Sequence, residues 1–93
     1  MFVHLSIHHP KPGKEELLID SMHRFGAAIT GKPGLREVHT LKDEKSGNLI
    51  GLAIWDSKEQ MLEQRPVMME ATKDDLFDEW EEGTPEVFLL NRA

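Results

Sequence analysis

Seven residues constrain this chain most: Leu49 to Trp55, LIGLAIW, an almost unbroken apolar run. So short a run reads as a strand covered on both faces, and hence central in its sheet. Leu35 to Leu41 precedes it and mixes Leu, Val and Thr with polar residues, which suits a half-buried strand. Asp43-Glu44-Lys45-Ser46-Gly47-Asn48 between them contains no apolar residue and is dense in turn formers, so the two strands make a hairpin. Gly51 and Ala53 share a face with Leu49 and Trp55. Their small side chains leave room for a close neighbour, a ligand or the indole ring itself. Asp56-Ser57-Lys58-Glu59-Gln60 then opens a helix, with Ser57 as N-cap and Gln60 placed to complete a capping box.

The other elements follow from the same two periods. Phe2 to His9 alternates, with Val3, Leu5 and Ile7 on one side and Phe2, His4, Ser6 and His8 on the other, as a strand does. Pro10 and Pro12 stop it. Lys14 to Thr30 is predicted helical, with Leu18, Met22, Phe25 and Ile29 as its apolar stripe and Leu17 and Ala28 widening it. Gly26 inside that helix predicts a kink or close packing. A short helix is expected from Lys58 to about residue 64, and Pro66 opens another that runs to about residue 82. Its expected inward stripe is Met69, Thr72, Leu76 and Trp80. The acidic residues Asp74, Asp75, Asp78, Glu79, Glu81 and Glu82 read as its solvated face. Glu86 to Asn91 is a last strand. Gly31-Lys32-Pro33 and Gly83-Thr84-Pro85 end the two helical stretches alike. The order fits two strand–helix–strand halves of a split-βαβ, ferredoxin-like α+β domain.

The 93 residues fit a single domain, residues 1–93. A core of that size is modest, and a second apolar sheet face would need cover, so a homodimer is expected. The chain has 0 Cys, which removes disulfides, thiolate chemistry and Cys metal sites. A net charge of -6 without a basic patch argues against nucleic acid. No segment has membrane-spanning length, and the N-terminus lacks the apolar core of a signal peptide, so a cytoplasmic location is the default expectation.

Three motifs carry a resemblance: Lys11-Pro12-Gly13-Lys14-Glu15 opening the first helix, Lys32-Pro33-Gly34 before the second strand, and Ile54-Trp55-Asp56-Ser57-Lys58-Glu59 ending the third. In that order and spacing, the chain resembles the antibiotic biosynthesis monooxygenase domains over nearly its whole length. The resemblance implies a four-stranded antiparallel sheet with helices on one face, a dimeric α+β barrel closed by the other faces, and a pocket between sheet and helices. Some members oxygenate phenolic or quinol-like compounds without metal or flavin; others degrade haem or have no known reaction. Trp55 stands where many members place a pocket tryptophan. Leu5 stands near the position of a first-strand Asn in haem-degrading members, and Arg65-Pro66-Val67 replaces a turn that carries their helical His. Polyketide-oxidising members use tyrosines, and this chain has 0 Tyr.

The implied ligand is therefore a small aromatic molecule, with no cofactor. Trp55 could stack on such a ring, or close the end of the core. His4, on strand one, and His39, on strand two, are the candidate catalytic bases, since an imidazole titrates near neutrality; both could equally be polar residues of the barrel face or dimer seam. Met68, beside the break at Pro66, could supply an adaptable pocket wall or simply fill core. Leu5, Trp55 and Met68 are thus the expected substrate contacts. A metal shared by His4 and His8 is excluded within one straight strand, where they lie ~13 Å apart.

Overall fold

The run Leu49–Trp55 does form an inner strand. The computed structural model describes residues 1–93. Its elements are β1 (Phe2–His8), α1 (Glu15–Ile29), β2 (Leu35–Lys42), β3 (Leu49–Trp55), α2 (Lys58–Glu63), α3 (Arg65–Thr72), α4 (Phe77–Trp80) and β4 (Glu86–Asn91). The strands form one sheet in the order β2-β3-β1-β4, every neighbouring pair antiparallel. This is the ferredoxin-like α+β arrangement that the element order predicts. No helix is long and apolar enough to cross a membrane.

Register fixes which side chains share a face. His4 lies opposite Ala53, and Ser6 opposite Gly51; on β2, Val38 and Thr40 continue those two rows. This is the helix-covered face. Leu5 opposite Leu52 and Ile7 opposite Ile50 belong to the other face, which no helix of the chain covers. The expectation that β3 is covered on both sides is thus met on one side only. A bulge at the start of β2, between Leu35 and Glu37, shifts its register there.

The helix-covered face is filled at the Trp55 end. Phe2, Ile29, Ala53, Trp55, Met61 and Met68 form one buried cluster, against which Phe25, Leu35 and Val38 pack. Ser57 caps α2 as predicted, its Oγ accepting from the Gln60 backbone N–H at 3.3 Å. The reciprocal half of the capping box does not form: the Ser57 hydroxyl donates to Gln60 Oε1 instead, at 3.1 Å. Gly26 meets the second expectation for it: a Cβ there would stand 3.5 Å from Val38 Cγ2, so α1 lies close on β2.

The predicted helix from Pro66 to about residue 82 is broken. α3 ends at Thr72, and α4 begins only at Phe77. The Thr72 hydroxyl turns back to the Met68 carbonyl at 3.2 Å. Asp75 is drawn to α1, accepting from Ser21 Oγ at 2.5 Å and Arg24 Nη2 at 2.8 Å. Those two charge-assisted bonds outweigh the weak helix propensity of adjacent aspartates. The break also changes the facing. Met68 is buried, whereas Met69 and Leu76, expected inward, are 68% and 54% exposed.

Candidate active site

At the Gly51 end the same layer is hollow. A cavity of about 230 Å³ lies between sheet and helices, with Gly51 and Ala53 in its floor and Met22 and Phe25 of α1 above it. The small residues of β3 have therefore left a ligand-sized space. An apolar cavity of ~150 Å³ already holds a benzene ring, so a substituted aromatic ring has room here.

His4 projects from β1 into this space. Its ring meets Phe25 edge to face, with centroids 6.3 Å apart. Burial, and then the nearby positive charge of Arg65, hold its pKa below the usual histidine value. His4 is thus a neutral imidazole near pH 7, able to accept one hydrogen bond and donate another.

Two residues farther along the same face, the cavity has a polar end. His8 Nε2 lies 3.0 Å from Ser6 Oγ, and His8 Nδ1 lies 2.8 Å from Glu81 Oε1. Ser6 and His8 both line the cavity. Glu81 is buried, its side chain 2% exposed. The backbone around it is tied to the end of β1: the Glu82 N–H donates to the His9 carbonyl at 2.7 Å, and the Lys11 N–H to the Trp80 carbonyl at 2.8 Å. With Glu81 as a carboxylate, which can only accept, and the ring neutral, the proton of the His8–Glu81 bond sits on Nδ1. Nε2 is then left to accept from the Ser6 hydroxyl.

Several expected site residues lie elsewhere. His39 borders the cavity, but its position opposite Leu52 places its side chain on the uncovered face. There it is 47% exposed and bonds Glu37 Oε1 at 3.2 Å. The bulge at Arg36 sets that parity, which sequence alone left open. Leu5 lies on the same uncovered face, opposite Leu52 and Phe88. Trp55 and Met68 belong to the buried cluster and not to the cavity lining; their bulk fills the end of the layer that the cavity does not occupy. Of the expected residues, only His4 presents its side chain to the cavity.

Ser6 and Glu81 carry no expected chemistry in the sequence, and His8 enters there only as a partner of His4 in a metal site. The alternation of His4, Ser6 and His8 did place three polar groups on one strand face. Nothing in the sequence tied Glu81 to His8 across 73 positions, and the reading of Glu81 and Asp75 as a solvated helix face is corrected: both side chains are buried and bonded. No group of three or more His, Asp or Glu side chains converges as a metal site.

No family model and no curated protein matches the sequence. Solved structures do match. Rv0793 from Mycobacterium tuberculosis superposes with a TM-score of 0.85 at 15% identity, over 99% of this chain and 94% of that one. A structure described as an antibiotic biosynthesis monooxygenase gives 0.79 at 11% identity, over 100% and 99%. This chain has the fold of the antibiotic biosynthesis monooxygenases. A variant of SnoaB from Streptomyces nogalater, described as a cofactor-independent oxygenase, also shares it, with a TM-score of 0.78, 14% identity, and coverage of 98% and 91%. At these identities the antibiotic biosynthesis monooxygenase likeness is one of fold.

Proposed function

We propose that the chain is a small oxygenase that acts, without a bound cofactor, on an aromatic or quinol-like compound in the cavity beside His4. The observation that carries this reading is a neutral, cavity-facing His4 beside an apolar space of aromatic-ring size. The fold shared with a cofactor-independent oxygenase supports it. The chemistry needs little more. Removing a proton from a phenolic hydroxyl gives an electron-rich anion that can pass an electron to O2, and the two radicals then combine. Phe25 and Met22 would hold the ring and exclude water, while His4 would hydrogen-bond the reacting hydroxyl and accept its proton.

The test is oxygen uptake with a panel of quinols and naphthols. His4→Ala should lower the rate about 100-fold, the lower end for losing a proton acceptor. His39→Ala should leave it near that of the unaltered chain. No uptake with any compound, or an unaffected His4→Ala rate, would overturn the assignment.

The active unit of this reading is a homodimer. Only 11 of 93 residues are buried in the single chain, and Leu41, Phe88 and Leu90 on the uncovered face are 46%, 41% and 42% exposed. A second copy laid on that face would hide them. Sedimentation at micromolar concentration tests this, and a stable folded monomer would refute it.

A second reading is a non-catalytic binder of small molecules, such as a stress-associated barrel. It is favoured by Trp55, Leu5 and Met68, none of which reaches the cavity. Thermal stabilisation by an aromatic ligand, without oxygen uptake, would select it.

A further inference from the structure

The polar end of the cavity is organised beyond what packing needs. Three side chains from two distant segments form one hydrogen-bonded line, Ser6–His8–Glu81, with links of 3.0 and 2.8 Å. Its inner end is a buried carboxylate whose second oxygen, Oε2, meets no protein donor. Leaving a buried carboxylate oxygen unbonded costs on the order of 1–3 kcal/mol, so this is a poor way merely to pin α4 to β1. The outer end is a hydroxyl over open floor: a Cβ on Gly51 would stand 2.7 Å from Ser6 Oγ.

We infer that Ser6, His8 and Glu81 form a second proton acceptor besides His4, a relay that ionises a ligand hydroxyl lying at the polar end of the cavity. The inference rests on the reading above only for the class of ligand, a phenol or quinol. As the ligand's O–H bond breaks, its proton joins Ser6 Oγ while the Ser6 proton passes to His8 Nε2. One O–H bond is lost at the ligand and one N–H bond is gained at His8. Ser6 ends unchanged, and no electron moves. The products are a phenolate and an imidazolium whose Nδ1–H still faces the Glu81 carboxylate. Glu81 is a positioning residue here: it fixes the tautomer and faces the charge that forms. His4 lacks such a partner, having Arg65 nearby instead. Acyl transfer by Ser6 fits less well. Ser6 lies in an inner strand, paired on both sides with β3 and β4, so the backbone N–H groups beside it serve the ladder and offer no oxyanion site.

The experiment binds para-nitrophenol to the intact protein, at a pH below that phenol's own midpoint, and reads the phenolate absorption band. Calorimetry measures binding in parallel. The unaltered chain should raise the phenolate-to-phenol ratio about tenfold over buffer, the low end of what an adjacent opposite charge does to an acid. Ser6→Ala and Glu81→Gln should bind the ligand yet return the ratio to that of buffer. Gly51→Ala, which pushes the Ser6 hydroxyl aside, should do the same. If Glu81→Gln fails to fold, Ser6→Ala carries the test, since it alters only the cavity end of the line.

No phenolate with the unaltered chain, or an undiminished band in Ser6→Ala, overturns the relay. A Glu81→Gln protein that melts earlier but keeps its band shows a merely structural carboxylate and overturns it too. Phenolate without oxygen uptake from any quinol would sink the oxygenase reading and leave the relay standing. Uptake that is unchanged in Ser6→Ala would do the reverse.

Discussion

The two ends of the layer between sheet and helices are built from opposite materials. At one end Phe2, Trp55, Ile29, Met61 and Met68 form one buried cluster. At the other, Ser6, Gly51 and Thr40 lie in one row across three strands, under Met22, and enclose a cavity. Both ends use β1 and β3 and lie under α1 and α3, with α2 added at the bulky end and α4 at the hollow one. Side-chain size along β3 separates them: Trp55 and then Gly51, four residues apart on one face. Packing is therefore concentrated at the bulky end and open space at the hollow one.

Trp55→Ala should break that contrast most severely. Emptying a fully buried indole site costs about 3–5 kcal/mol, which urea unfolding would read as a large fall in midpoint. A loss under about 1 kcal/mol would mean that the bulky end is not the anchor. A sharper comparison sets Met68→Ala against Met22→Ala. Met68 is 6% exposed in the core cluster, whereas Met22 borders space that is already empty. Met68→Ala should cost about 2–3 kcal/mol and Met22→Ala less. Equal losses would show that the cavity is collapsed in solution.

Ser57→Ala tests the support beneath the bulky end. Losing the cap to Gln60 N–H should cost about 1 kcal/mol, measured by the same unfolding. The smallest effect belongs to His4 and appears only in acid. Its folded pKa is below the ordinary value of 6.5, so as pH falls the unfolded chain takes up the proton first. Stability is then fully present above pH 6.5 and declines as pH falls toward the lowered folded pKa. His4→Gln should flatten that part of the stability–pH curve; an unchanged slope would show that His4 does not carry it.

Much of this arrangement was legible in the sequence. The apolar run gave β3 its bounds, Leu49–Trp55, to the residue, because a strand bounded by turn formers has nowhere else to end. Period-two alternation placed His4, Ser6 and His8 together on one face. Gly51 and Ala53 announced room above the sheet, since no side chain there could fill it. The remainder depended on contacts between distant segments. The break after Thr72 follows from the bonds of Asp75 to Ser21 and Arg24, more than 50 positions earlier, which local propensity cannot register. The burial of Glu81 follows from that break, which lets the chain turn back to the end of β1. The side of the sheet taken by His39 turned on the single bulge at Arg36.

The last strand carries a consequence of its own. In β4, Val87, Phe88, Leu89 and Leu90 are 56%, 41%, 49% and 42% exposed, on a ribbon with one free edge. A short, uncharged, β-prone segment at a bare edge is a template for fibrils. Substitutions that keep this ribbon uncovered would announce themselves as turbidity and poor yield. A charge introduced at Phe88 or Leu90 would blunt that template at the cost of the proposed pairing with a second copy, and would leave the cavity lining unaltered.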